Sequence, residues 1–69
     1  MLSKQHIKVL LLLSHGHKIK DICLLMDISK SRIEDLQRES QGELKVETNN
    51  QAVIKALKQG YFKKIELEY

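Results

Sequence analysis

Two short amphipathic segments that meet at Asp27 constrain the fold of this chain more than any other feature. Apolar residues recur at helical spacing on both sides of this point: Ile22, Cys23, Met26, Ile28, Ile33 and Leu36. The spacing places one buried stripe on each segment, and Ser29 is a good N-cap for the second. The pattern predicts a helix-turn-helix, in which the first helix crosses a nucleic-acid backbone and the second presents its exposed N-terminal face to the major groove.

Composition favours one small all-α domain. The chain has 69 residues, enough for one domain whose core must be nearly complete. Hydrophobic residues make up 42%, with one Phe and two Tyr, so the core is aliphatic and few rings are available to stack on bases. This composition disfavours a single-strand binder. There is no proline, and Gly16, Gly42 and Gly60 are spaced as breaks between helices.

The pattern predicts four helices, over about residues 4–14, 18–26, 30–41 and 49–59. Ser3 is the expected N-cap of the first, while the second has no clear cap. The helical signal of the third fades towards Gly42, and the fourth begins with a capping box from Thr48 to Gln51. We therefore expect one helix-turn-helix domain over residues 1–62.

Other apolar residues define the expected core. On the first helix the buried face is predicted from Val9, Leu10, Leu12 and Leu13, with Leu2 packing from outside. On the fourth it is predicted from Ala52, Val53, Ala56 and Leu57. Leu44 and Val46 should pack the connection between the third and fourth helices. The tail 63–69 alternates polar and apolar residues, so it is frayed, a last helical turn, or a strand paired with the same tail of another chain.

Positive charge is concentrated in the half that contains the motif. The chain carries +3 overall; residues 1–33 hold six cations against two acids, and residues 34–69 hold six against seven. A net +4 on a small surface attracts phosphate, although such a face is also common on proteins with no acidic partner.

From Leu2 to about Phe62 the chain resembles the LuxR/GerE-type DNA-binding domain, a four-helix module of bacterial transcription regulators. The matching residues are Leu2-Ser3, Val9-Leu10, Leu12-Leu13, Gly16, Lys20-Asp21-Ile22, Ile28-Ser29, Ile33, Leu44, Val46, Ala52-Val53 and Gly60-Tyr61-Phe62. The resemblance implies a stand-alone domain that binds duplex DNA and associates through its fourth helix.

The chain departs from the family's pattern where bases are read. The first turns of the family's third helix commonly read Lys, Thr, Val, Lys and Asn; here they run from Ser31 to Asp35 and include Glu34. Asp27 replaces a usual glycine, and Gly42 suggests a short third helix. Carboxylates repel phosphates but can accept a hydrogen bond from cytosine N4.

Candidate DNA contacts follow from the motif and the resemblance together. They are Lys18, Lys20, Ser29, Lys30, Ser31, Arg32, Glu34, Asp35 and Arg38. The lysines would anchor phosphates, or would simply form a solvated basic face. Arg38 would reach a guanine edge, or would pair with Glu34 one turn earlier. Two functions remain: a homodimeric transcription regulator that binds duplex DNA, or a protein-interaction module, such as an anti-activator or adaptor, that binds another regulator.

The fourth helix is the candidate self-association surface. Its candidate interface residues are Val53, Ile54, Ala56 and Leu57. They are more apolar positions than one helix needs to cover so small a core, and the alternative is that all of them are intramolecular core.

Other chemistry is not expected. His15 and His17 lack zinc-ligand spacing, and Cys23 fits a small core residue, so we expect no metal and no cofactor. The chain shows no phosphate-binding glycine loop and no nucleophile motif, which argues against an enzyme. The longest apolar run, Val9 to Leu13, is too short for a bilayer, so we expect a cytoplasmic protein with no membrane partner.

Overall fold

The computed structural model describes residues 2–62, which form four α-helices and no strand. The helices are α1 (Lys4–Ser14), α2 (Ile19–Met26), α3 (Lys30–Leu44) and α4 (Asn49–Lys58). This confirms an all-α four-helix domain. The expectations for the tail 63–69 lie outside the described residues.

The capping signals of the sequence place most helix ends correctly. Ser3 caps α1 by accepting from the His6 N–H, and His6 completes a capping box. Thr48 and Gln51 form the predicted capping box of α4. Gly16 and Gly60 both adopt positive φ just beyond the helices that they end. The start of α2 has no side-chain cap, since Lys18 makes no capping hydrogen bond.

The third helix is longer than predicted. It continues through Gly42 to Leu44, three residues past the expected end. The buried stripe that includes Leu36 and Ser40 is extended one turn by Leu44, which is a stronger constraint than the weak helix preference of an exposed glycine. The helix ends where Lys45 turns left-handed, with φ of 58°. The Lys55 ammonium donates to the Leu44 carbonyl over 2.7 Å, so one of the terminal carbonyls has a partner.

Two clusters of buried side chains form the core, and α1 contributes to both. The first contains Leu2, Leu10, Leu11, Leu44, Ala52, Ala56 and Phe62. The second contains Val9, Leu12, Ile22, Ile33 and Leu36. Leu13, which is only partly buried, packs against both. Because α1 contacts all three other helices and α3 also contacts α4 directly, this packing fixes the position of the α2–α3 pair relative to α4.

The predicted buried face of α1 was wrong at two positions. Leu11 is completely buried, whereas Leu13 is only half-buried. A helix packed on one side buries one stripe, but α1 lies between the two clusters and buries four consecutive residues, Val9 to Leu12.

Candidate nucleic-acid interface

The turn between α2 and α3 is held by backbone geometry and a side-chain cap. Asp27 is left-handed, with φ of 55°, and the Ile28 N–H donates to the Cys23 carbonyl over 3.2 Å. Ser29 then caps α3, its Oγ accepting from the Arg32 N–H over 3.1 Å. Ile28 packs against the second core cluster. Together these contacts set the direction in which the first turn of α3 leaves the core.

A shallow groove lies beside this turn and brings together three predicted lysines. Its lining consists of Lys18, Ile19, Lys20, Cys23, Leu24 and Lys30, and we call it the lysine groove. All three lysines are exposed, and none has an ion-pair partner within residues 2–62. The start of α2 and the start of α3 therefore present free positive charge on the same side of the turn. Cys23 is half-buried here rather than fully buried.

The outer face of α3 carries charges of both signs. Ser31, Glu34 and Arg38 are exposed, and Asp35 is partly exposed. Arg38 pairs with Asp35, one turn before it, and not with Glu34 as the i, i+4 spacing suggested. The Arg38 side chain remains on the surface, 74% exposed, and its positive charge compensates the negative charge of Asp35. Glu34 is therefore the uncompensated negative charge of this face among the described residues.

Arg32 is separated from the other candidate contacts. Its guanidinium donates to the Gln5 side-chain oxygen over 3.3 Å and lies 3.7 Å from a Glu39 oxygen. The other Glu39 oxygen lies 2.7 Å from Nε2 of His6. These contacts hold Arg32 towards the first turns of α1, where it ties α3 to α1. The pairing of His6 with Glu39 could not be predicted from the sequence, because residues 33 positions apart give no periodic signal.

The candidate interface residues of α4 divide into two sets. Ala56 is completely buried in the first core cluster, and Val53 packs against the same cluster. Ile54 and Leu57 are 53% and 59% exposed and, with Leu13 of α1, line an open groove along α4. Ala56 is therefore not available to a partner, and Leu57 does not lie on the intramolecular core face where the sequence placed it.

Two further leucines on α2 are exposed, and the sequence analysis did not predict this exposure. Leu24 is 75% exposed and Leu25 is 59% exposed. A helical wheel of α2 places Ile22 and Met26 on its inner side and both leucines on the outer side, so the sequence contained the signal. Leu24 also forms part of the lysine groove.

Within residues 2–62, no three His, Cys, Asp or Glu side chains lie close enough together to hold a metal ion. None of the helices in this range combines the length and apolar composition needed to cross a bilayer. No protein-family model, curated protein or solved structure matches the chain significantly.

Proposed function

We propose that the protein is a small bacterial transcription regulator of LuxR/GerE type that binds duplex DNA through α3 as a homodimer. The observation that carries this proposal is the convergence of Lys18, Lys20 and Lys30 beside a hydrogen-bonded turn that leads into an exposed, capped helix start. This is how a helix-turn-helix meets DNA: the first helix crosses the backbone and the start of the second enters the major groove. In this proposal the protein acts in the cytoplasm, as a binding protein and not as an enzyme.

The three lysines would supply the sequence-independent part of the affinity. Each can neutralise one phosphate and release a condensed counterion, so log affinity should fall with log salt. About four to six phosphate contacts per dimer would give a measurable but shallow slope. Ser31 and the backbone N–H groups at the start of α3 would add uncharged contacts to phosphate.

Base recognition would fall to the outer face of α3. Arg38 would read a guanine edge, but only after leaving Asp35, so this contact replaces an existing ion pair. Glu34 and a released Asp35 could accept hydrogen bonds from cytosine N4. Carboxylates on this face repel phosphates and so weaken binding to DNA of every sequence. The loss is smaller for sequences that offer a hydrogen-bond donor, such as cytosine N4, at the right position. The expected behaviour is selective binding with low nonspecific affinity.

Fluorescence anisotropy with labelled mixed-sequence duplex DNA at low salt tests the proposal directly. Lys20→Ala and Lys30→Ala should each weaken binding to all sequences and lower the salt slope by about 1 per lost contact. Lys58→Ala is the matched control, since this exposed lysine lies on α4, away from the lysine groove. Arg38→Ala should instead change the ranking of sequences selected from a random pool. Absence of any binding at low salt contradicts the proposal.

A second candidate function is favoured by the exposed carboxylate of Glu34. An acidic group on the recognition face suits a protein-interaction module that pairs with a basic partner, such as another transcription regulator. Replacing Glu34 with Lys and Asp35 with Asn distinguishes DNA binding from protein interaction. The double variant should bind DNA more tightly if DNA is not the native ligand, and should lose sequence preference if it is.

A further inference from the structure

We propose that the lysine groove is a docking site for an acidic protein segment that carries aliphatic anchor residues. The observation behind this is the combination of an apolar floor, formed by Ile19, Cys23 and Leu24, with three exposed ammonium groups around it. The proposal goes beyond DNA binding and does not depend on it.

The exposed leucines argue for a protein occupant. Phosphates would satisfy the lysines of the groove, but a DNA backbone offers little apolar surface to cover Leu24, which is 75% exposed, or its neighbour Leu25. An amphipathic segment covers both kinds of surface at once, because its leucines bury against the floor while its glutamates meet the lysines.

Charge complementarity indicates that the partner segment is negatively charged. Lys18, Lys20 and Lys30 have no carboxylate partner within residues 2–62, so a segment with Glu or Asp flanking its anchors would compensate all three. Asp21 is the exposed acid on this part of α2, and it does not line the groove. A basic segment would be repelled. The groove thus fits an acidic amphipathic helix better than any basic or neutral one.

DNA and the acidic segment would compete for the lysine groove. Because the same lysines would hold phosphates in the proposed DNA complex, a bound acidic segment would occupy the cations that DNA needs. Such a partner would release the regulator from DNA without changing its fold. This competition rests on the proposed function, whereas binding of the segment to the free protein does not.

The test uses a labelled synthetic peptide with leucines on one helical face and glutamates beside them, titrated with the full chain in the absence of DNA. Leu24→Ser and Lys20→Glu should each weaken binding about tenfold or more, which corresponds to about 1.4 kcal/mol. Lys58→Glu makes the same charge change on α4 and should leave the affinity within about twofold. All three positions are exposed, so circular dichroism should show unchanged helix content.

Two further measurements locate the peptide. Cys23 is the only cysteine of the chain and lines the groove, so bound peptide should slow its alkylation by iodoacetamide. A peptide with lysine in place of glutamate should bind at least tenfold more weakly. The proposal is overturned if the acidic peptide fails to bind at millimolar concentration. It is equally overturned if binding survives Leu24→Ser and Lys20→Glu, or is lost with Lys58→Glu. Competition with DNA is then measured in a separate experiment, so that a failure of DNA binding can be distinguished from a failure of peptide binding.

Discussion

The imidazole of His6 lies between the start of α1 and the middle of α3, with its Nε2 2.7 Å from Oε1 of Glu39. The Ser3 N–H donates to Nδ1 of the same ring over 3.1 Å, so the two ring nitrogens contact different helices. One side chain thus completes the α1 capping box and connects α1 to α3.

We expect His6→Ala to lower the free energy of unfolding by about 1–2 kcal/mol, because it removes a cap partner and a hydrogen bond to a carboxylate. Glu39→Gln keeps an acceptor oxygen and should cost less than about 1 kcal/mol. Urea denaturation of both variants measures these effects, with Glu47→Gln as an exposed charge control. If the losses for His6→Ala and Glu39→Ala add without coupling in the double variant, the two side chains do not interact.

Leu11 should be more important for stability than its neighbour Leu13. Leu11 is fully buried in the first cluster, whereas Leu13 is only half-buried between the two clusters. Leu11→Ala should lose about 2–5 kcal/mol, as expected for a buried leucine whose cavity only partly closes. Leu13→Ala should lose clearly less. Thermal denaturation of the two variants checks the order, and the reverse order would contradict the burial described for α1.

Replacing Gly42 with Ala tests the length of α3. A Cβ at this position would meet no atom within 4 Å, and Gly42 lies inside the helix without a positive φ. We expect a gain of about 0.5–1 kcal/mol in the free energy of unfolding, because alanine restricts the unfolded chain and favours helix. Gly16→Ala is the matched control and should destabilise the protein, since Gly16 has φ of 85°. A loss of stability in Gly42→Ala would indicate that α3 ends before Gly42.

The proposed dimer predicts a specific loss of association. Ile54 and Leu57 are exposed on α4, so replacing either with Asp should leave the monomer folded but place an unpaired charge in the proposed contact. Analytical ultracentrifugation should show a dimer for the intact chain and monomers for Ile54→Asp and Leu57→Asp. Leu24→Asp, on α2, should remain dimeric. An intact chain that is monomeric at high micromolar concentration, without DNA, contradicts the dimer.

Local signals in the sequence were sufficient for the helices and most of the core. The caps at Ser3, Ser29 and Thr48 and the left-handed glycines are decided by neighbouring residues, so they could be predicted. The end of α3 could not, because burial of Leu44 depends on α4 and not on the residues around Gly42.

The candidate site shows the same division between local and tertiary information. The exposure of the three lysines followed from helical periodicity, and the structure adds that they surround one groove. The partner of Arg32 lay beyond sequence reasoning, since Gln5 and Glu39 approach it only after α1 packs on α3. Two carboxylates, Glu34 and Asp35, lie within about one turn of Arg38, and spacing alone could not predict that Asp35 is its partner.

The central position of α1 has a consequence for the geometry of any operator. Since α1 packs against both the α2–α3 pair and α4, and α3 also contacts α4, a dimer formed through α4 would hold its two recognition helices at a separation set by the packed core. No flexible linker would adjust that separation. The protein would then accept one half-site spacing and reject duplexes in which the half-sites are moved by a few base pairs.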